Sequence, residues 1–459
     1  MVKQVRALSA TGMLGSGFRE SSLLRGLDME PDFIGCDAGS TDSGPYYLGT
    51  GTAHFSDDAV SRDLRLILRG GRKQRIPVII GSAGTGGADG QVDHVVELVC
   101  RIAHAEGMRF RLGIIYAEQQ ADYLIPQLRR GRITPLTKTP EPLTEEVIRR
   151  STHIVGMAGI EPFIEALDQG AEVIIAGRSS DTSIFAAIPV MRGLNPASAW
   201  HAAKILECGA ACVKQRQYPD CLFAVICDDA FIVEPPNSDY VCTPVSVASH
   251  NLYENDSPYT LREPAGILHT EHCRYEAVSD RAVRVTGSTF EPATVYTVKL
   301  EGAELAGYQS LFFGAIRDPM ILKQFPTWLK GLTETLHRRF AEIYGEEVGN
   351  RYQLHFRTYG LNGTMGPLEP EKRIGHEVCL VVGILADEQE LATNLAKSAA
   401  HIAVHYPIPE WSGLITALAF PHSPPELNRG PVYRFNMNHV VQPDSYKEMF
   451  RIHYESIGN

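Results

Sequence analysis

The sequence predicts an α/β protein, with a doubly wound, mostly parallel sheet over residues 1–210 and an α+β domain over residues 211–459. Three observations carry this. To about residue 205, short apolar runs alternate with amphipathic stretches, the pattern of buried parallel strands with helices on both faces. Each of those runs ends in glycines and small polar residues. Beyond about residue 215 the apolar runs crowd together between turns, with only two clear helical stretches, which suits an antiparallel sheet.

Taken in order, the first predicted strand (5–9) leads into Thr11-Gly12-Met13-Leu14-Gly15-Ser16-Gly17 and an amphipathic stretch over 18–27. The second (33–36) opens the loop Asp37-Ala38-Gly39-Ser40-Thr41-Asp42-Ser43-Gly44. The third (77–80) leads to Gly81-Ser82-Ala83-Gly84-Thr85-Gly86-Gly87 and a helix over 92–106. The fourth (110–116) precedes Ala117-Glu118-Gln119-Gln120, and the fifth (173–176) precedes Gly177-Arg178-Ser179-Ser180-Asp181-Thr182. In the second half, strands are expected near 222–226, 282–285, 295–300, 352–357 and 378–384, and helices over 326–344 and 387–405. The polar, proline-bearing stretch 234–264 is too long for a plain connector and predicts a lid or an interface arm. It also favours a homo-oligomer.

Composition narrows the function. A length of 459 residues predicts two domains, and 44% hydrophobic with 21% charged residues describes a globular chain. A net charge of −11 argues against a nucleic-acid partner, since phosphate backbones need a basic surface. No run approaches the length of a membrane span, and no signal-like apolar segment follows the N-terminus. Nine cysteines lack any Cys-x-x-Cys pair, which fits reduced thiols and a cytoplasmic location.

In a parallel sheet, ligands bind beyond the carboxyl ends of the strands, so the loops above should meet at one edge. Gly12, Gly15 and Ser16 belong to a turn whose exposed amides suit an anion or carboxylate, although the order of its glycines is not that of a dinucleotide fingerprint. Asp37 and Asp42 are acid/base candidates, with Ser40, Thr41 and Ser43 as hydrogen-bond donors, although hydroxyl and Asx turns explain part of that composition. Ser82, Gly84 and Thr85 lie in a second amide-rich turn without the Gly-Lys-Ser/Thr ending of a nucleotide loop. A tight βα turn is its plain alternative. Arg178 offers a planar fork for a carboxylate, with Asp181 either acting on substrate or steadying the guanidinium. Glu118 belongs to the same edge or simply starts a helix.

Other clusters are weaker. His269-Thr270-Glu271-His272-Cys273 sits in strand-and-turn surroundings without a His-Glu-x-x-His pattern, and His401 with His405 reads as a packed helix end. Residues 359–367 form a further small-residue loop, a substrate-side wall or a simple turn. No cofactor is predicted from motifs. A divalent ion held jointly by Asp37, Asp42 and Asp181 needs no fixed motif and stays open.

With many donors and carboxylates, no nucleophile motif and no redox fingerprint, the leading expectation is a lyase of hydratase or dehydratase type acting on a small carboxylic acid or acyl thioester. The competing expectations are a hydrolase of a lactone, amide or thioester, and a non-catalytic acyl-binding subunit.

At these same loops the chain resembles the acyclic terpene utilisation protein AtuA family. The resemblance rests on the Gly12 to Gly17 turn, on Val173-Ile174-Ile175-Ala176-Gly177-Arg178-Ser179-Ser180-Asp181 as a strand followed by Gly-Arg-x-x-Asp, and on Lys299-Leu300-Glu301-Gly302 ahead of Gly307-Tyr308. It covers most of the chain, from the first strand to about residue 440. The segment 37–47 departs from the terpene-pathway pattern, so the resemblance implies a divergent branch. It also implies catabolism of organic acids or their coenzyme A esters and a small companion protein.

Overall fold

The computed structural model describes residues 3–136, 142–253, 257–408 and 416–458. Its first strands are β1 (Gln4–Ser9), β2 (Phe33–Asp37), β3 (Val78–Gly81) and β4 (Phe110–Tyr116). There follow β5 (Ile133–Pro135), β6 (His153–Gly156) and β7 (Val173–Ala176). Next come β8 (Leu222–Cys227), β9 (Ala230–Glu234), β10 (Thr260–Glu263) and β11 (Gly266–His269). After β12 (Arg274–Ala277), β13 (Val283–Thr286) and β14 (Thr289–Pro292) the chain enters the 19-residue β15 (Val298–Ile316). The series ends with β16 (Tyr352–Tyr359), β17 (Val378–Ala386), β18 (Leu427–Val441) and β19 (Arg451–Ile457).

The largest sheet has ten strands in the order β12-β13-β9-β8-β1-β2-β3-β7-β4-β19. Its middle, β1-β2-β3-β7-β4, is parallel throughout, and antiparallel strands flank it on both sides. β2, β3 and β7 are fully buried, because their predominantly apolar residues meet helices on both faces. One face carries helices Glu20–Asp28, Asp57–Gln74 and Asp89–Glu106, and the other carries Glu161–Asp168, Ser183–Met191 and Pro196–Leu206. The expected doubly wound α/β core is present, within a sheet that is mixed and not mostly parallel.

The chain divides into two compact units, Met1–Glu304 with Phe435–Asn459, and Leu305–Arg434. The division lies at residue 304 and not near residue 210, because β8 pairs with β1 from Gln4↔Cys227 to Ser9↔Leu222 and so extends the first sheet. The stretch 234–264 was expected as a lid or arm. Its Tyr240, Cys242 and Val247 instead join the core of the first unit, and it contains helix Pro244–His250 and β10.

In the second unit the order is the end of β15, helix Phe325–Tyr344, β16, β17, helix Gln389–Val404 and the start of β18. The strands lie β16-β17-β15-β18, the split βαβ arrangement of a ferredoxin-like fold. Trp328, Leu332, Leu336 and Phe340 of the first helix pack with Leu380, Val382 and Ile384 of β17. Strand residues one position away point to the opposite face. The predicted α+β character and both predicted helices are found here. Among the described residues no helix is long and apolar enough to cross a membrane.

Candidate functional site: a buried carboxyl cluster at the strand ends

The parallel strands end level with one another. Asp37 pairs with Gly81, and Ile80 with Ile175, so the loops after β2, β3 and β7 leave from the same edge. Ser82 and Ala83 donate their amides to the carbonyls of Gly177 and Ala176, and Arg178 donates its amide to Gly87 at 3.2 Å. Gly87 sits at φ +71°, and a Cβ there would fall 2.1 Å from the Arg178 nitrogen. Only glycine allows the two loops to approach this closely.

Asp37 closes β2 and is 6% exposed. Its Oδ2 accepts the Gly39 amide at 3.1 Å, while Oδ1 is buried without a hydrogen-bond partner among the described residues. Burial first, and then the negative charge of Asp181, push this carboxyl well above its ordinary range, against the pull of Arg178. Both influences favour the neutral form of this buried acid. Asp181 stands at the rim with its side chain 24% exposed, 3.3 Å from Nη1 of Arg178.

Arg178 is itself buried. Its Nε donates to Oε2 of Glu301 at 2.7 Å, and its Nη1 to the Ser179 carbonyl at 2.6 Å and to Ser82 Oγ at 3.3 Å. Glu301 comes from β15 and also accepts Thr41 Oγ1 and Lys299 Nζ, each at 2.8 Å. Burial would raise its carboxyl, yet Arg178 and Lys299 hold it down at about 2. β15 is placed here by antiparallel pairing with β6, Glu301 opposite Val155. The expected carboxylate partner of Arg178 is therefore the protein's own Glu301, and the guanidinium acts as a bolt between the strand ends and β15.

Deeper in, Lys204 pairs with Glu207, and Thr182 Oγ1 donates to Glu263 on β10. Ser180 and Thr182 share a hydrogen bond of 2.7 Å, and both hydroxyls lie against the buried Glu263 carboxyl. Burial pushes Glu207 up to about 8 against the attraction of Lys204, with the charges of Asp181 and Glu263 adding to the rise. Burial likewise pushes Glu263 up to about 7. Five carboxyl groups (Asp37, Asp181, Glu207, Glu263 and Glu301) thus share three cations (Arg178, Lys204 and Lys299). Burial shifts three of the five, Asp37, Glu207 and Glu263, toward the protonated form.

The remaining predicted residues have other roles. The amides of Gly15 and Gly17 do bind an anion, but it is the carboxylate of Asp63, wholly buried on helix Asp57–Gln74, at 2.9 and 3.0 Å. Ser16 Oγ donates to the Met13 carbonyl, and Gly12 packs so tightly on the Cys208 carbonyl that a Cβ would lie 2.7 Å from it. In the turn after β3, Gln91 fills the space an anion would take. Its Nε2 donates to the carbonyls of Gly84, Tyr47 and Thr52, and its Oε1 accepts the Ala88 amide. Thr85 Oγ1 accepts the His54 amide. This turn is the plain packed βα turn. Thr41 turns inward, whereas Asp42 and Ser43 are exposed, and Ser40 Oγ accepts the Asp42 amide. Helix Ser183–Met191, which follows this loop, starts without a side-chain cap hydrogen bond among the described residues.

Glu118 forms a separate pair with His153 at 2.7 Å, while its Oε2 accepts the Asp89 amide at the start of a long helix. Burial acts to raise its carboxyl, but His153 and that amide bring it below the usual value, and His153 is raised in turn by Glu118. Beside the cluster, a cleft of about 410 Å³ is lined by Gly12, Met13, Ser16, Cys208, His250 and Tyr253 among others. Nε2 of His250 is buried there without a partner, and burial holds its ring neutral, with a pKa near 4. Among the described residues, no three His, Cys, Asp or Glu side chains are placed to hold a metal ion. Neither Asp37, Asp42 and Asp181 nor His269, His272 and Cys273 are grouped in that way. His401 and His405 pack ring against ring at 5.8 Å at a helix end.

Sequence reasoning missed Lys204, Glu207, Glu263 and Asp63. The first two stand out as charges in and just after helix Pro196–Leu206, every residue of which from Ala197 on is buried. Asp63 likewise interrupts the buried stripe Val60, Leu64, Ile67 and Leu68. A charge at a core position marks a partner inside. Glu263 carries no such local signal.

No curated protein and no solved structure matches the chain. The family model described as acyclic terpene utilisation family protein AtuA matches residues 50–413, a shorter span than the resemblance had suggested, beginning after the Gly12 to Gly17 turn and the Asp37 loop. That match includes Arg178, Asp181, Lys204, Glu207, Glu263, Lys299 and Glu301, and by it the chain belongs to the AtuA family of acyclic terpene utilisation proteins.

Proposed function

We propose that this protein is an enzyme of hydro-lyase type acting on a small carboxylic acid or acyl thioester in the breakdown of a terpene-like or related carbon chain. The observation that carries the reading is the pairing of a buried neutral carboxyl, Asp37, with a rim carboxylate, Asp181, whose charge helps keep it neutral. A buried carboxyl that favours its proton, beside a second carboxyl at the rim, offers an acid and a base in one place. In the dehydration direction Asp181 takes the proton on the carbon next to the acyl group. The released electron pair forms the carbon–carbon double bond, and Asp37 gives its proton to the departing hydroxyl, which leaves as water. Hydration is the reverse. Arg178, fixed by Glu301, positions Asp181.

The test is solvent-deuterium incorporation next to the acyl group, across a panel of hydroxy acids, unsaturated acids and their thioesters, with product masses recorded. Wild type should exchange that hydrogen and interconvert one pair differing by water. Asp37→Asn and Asp181→Asn should each lower turnover at least about a hundredfold with thermal unfolding little changed. Full activity in both variants sinks the site. Cleavage of the acyl bond in the product would instead make the protein a hydrolase, and no turnover without an added small protein would make it an acyl-binding subunit.

A further inference from the structure

The second unit, Leu305–Arg434, carries a groove of about 820 Å³ on the face of its sheet turned away from its two helices. Leu380, Val382 and Ile384 face the helices, so Val381 and Gly383 face outward. Gly383 lies opposite His355 on one side and Leu311 on the other, and Arg357 lies opposite Val381. The missing side chain at Gly383 leaves a depression in the middle of this face. A Cβ there would touch only the amide end of Gln309, at 3.2 Å.

The charge of the groove runs against that of the chain. The sequence carries a net charge of −11, yet Arg357 and Arg429 both line the groove and, among the described residues, no Asp or Glu does. Among the described residues neither arginine makes an ion pair; Arg429 donates to Gln309 Oε1 at 3.4 Å. Two unmatched, exposed guanidinium groups in one concavity suit an anion. At an exposed position a single carboxylate gains little from such a contact, because water screens it. A phosphoryl group offers more charge and an oxygen geometry that matches the planar fork. The volume exceeds what a free phosphate needs, and Leu311, Val381 and Met365 add an apolar wall.

We propose that this groove binds a phosphate-bearing small molecule, with Arg357 and Arg429 on its phosphoryl groups and its organic part over Gly383 against Leu311, Val381 and Met365. The proposal does not rest on the chemistry assigned to the carboxyl cluster. Titration calorimetry on the full chain with inorganic pyrophosphate and with ADP, and acetate as control, tests it. Both phosphate compounds should bind saturably, ADP more tightly, acetate not at all, and binding should weaken steeply with salt. Arg357→Met and Arg429→Met, both at exposed positions, should each weaken binding at least about tenfold, with Arg357→Lys recovering part of it. Gly383→Leu should hinder ADP more than pyrophosphate. Absence of saturable binding, or binding unchanged in both methionine variants, overturns the proposal. It is equally overturned if these variants change only the oligomeric state, since the face would then be a contact between copies.

Discussion

Glu263 shows how a single side chain sets a pH dependence. Its ordinary pKa is 4.5 and its value in the folded chain is about 7, raised chiefly by burial. Below about pH 4.5 the folded and unfolded states both keep the proton, and the favourable contribution of the neutral acid is fully present. As pH rises toward 7 and beyond, the unfolded chain releases its proton first, so folding stability is lost across that window. Glu263→Gln keeps an acceptor for Thr182 and cannot ionise. It should therefore raise the unfolding free energy above pH 7 by something on the order of 1–3 kcal/mol, with little change at about pH 5. Denaturant unfolding at the two pH values checks this, and an equal gain at both would show that Glu263 is not held neutral. Glu207 follows the same direction, but its pairing with Lys204 makes it a poorer single probe.

At the scale of elements, helix Pro196–Leu206 buries Lys204 one turn from Glu207. Breaking a buried pair from one side leaves an uncompensated charge, at about 3–5 kcal/mol, while replacing both groups by apolar ones of similar size is often neutral. Lys204→Met and Glu207→Met should each destabilise the fold, and the double variant should lose less than the sum of the two single losses. A double-mutant cycle by thermal unfolding measures this coupling, and strict additivity would contradict it. The loops show what periodicity can and cannot reveal. Alternating apolar runs and glycine-rich ends were enough to find β1, β2, β3, β4 and β7, and to bring Asp37, Ser82, Glu118 and Arg178 to one edge. They did not show that the anion held by Gly15 and Gly17 is Asp63, 46 residues beyond Gly17, or that Gln91 plugs the turn after β3. Partners so distant in the chain leave no local spacing to read. Glu263 is 81 residues from Thr182 and Glu301 is 123 from Arg178, so both were out of reach of local pattern.

For the whole molecule, the division at residue 304 has a physical basis that chain texture hid. The change in pattern near residue 215 marks the passage from parallel to antiparallel strands within one sheet, since β8 and β9 are added beside β1. It does not mark a new core. The second unit has its own: every member of its buried cluster lies between Phe312 and Leu418. The excised segment 305–434 should therefore fold alone, with mixed helix and strand circular dichroism and a cooperative thermal transition. A fragment that stays unfolded would show that it depends on the rest of the chain.

The central claim is that Asp37 is a neutral carboxylic acid at neutral pH, buried at the strand ends with its proton available for transfer. Infrared difference spectroscopy of the carbonyl stretch of protonated carboxyl groups, comparing wild type with Asp37→Asn at neutral pH, tests this without any substrate. The wild-type spectrum should contain a protonated-carboxyl band that is missing from the variant, while the contributions of Glu207 and Glu263 persist. Spectra that superimpose in that region would mean that Asp37 is ionised, and would contradict the account.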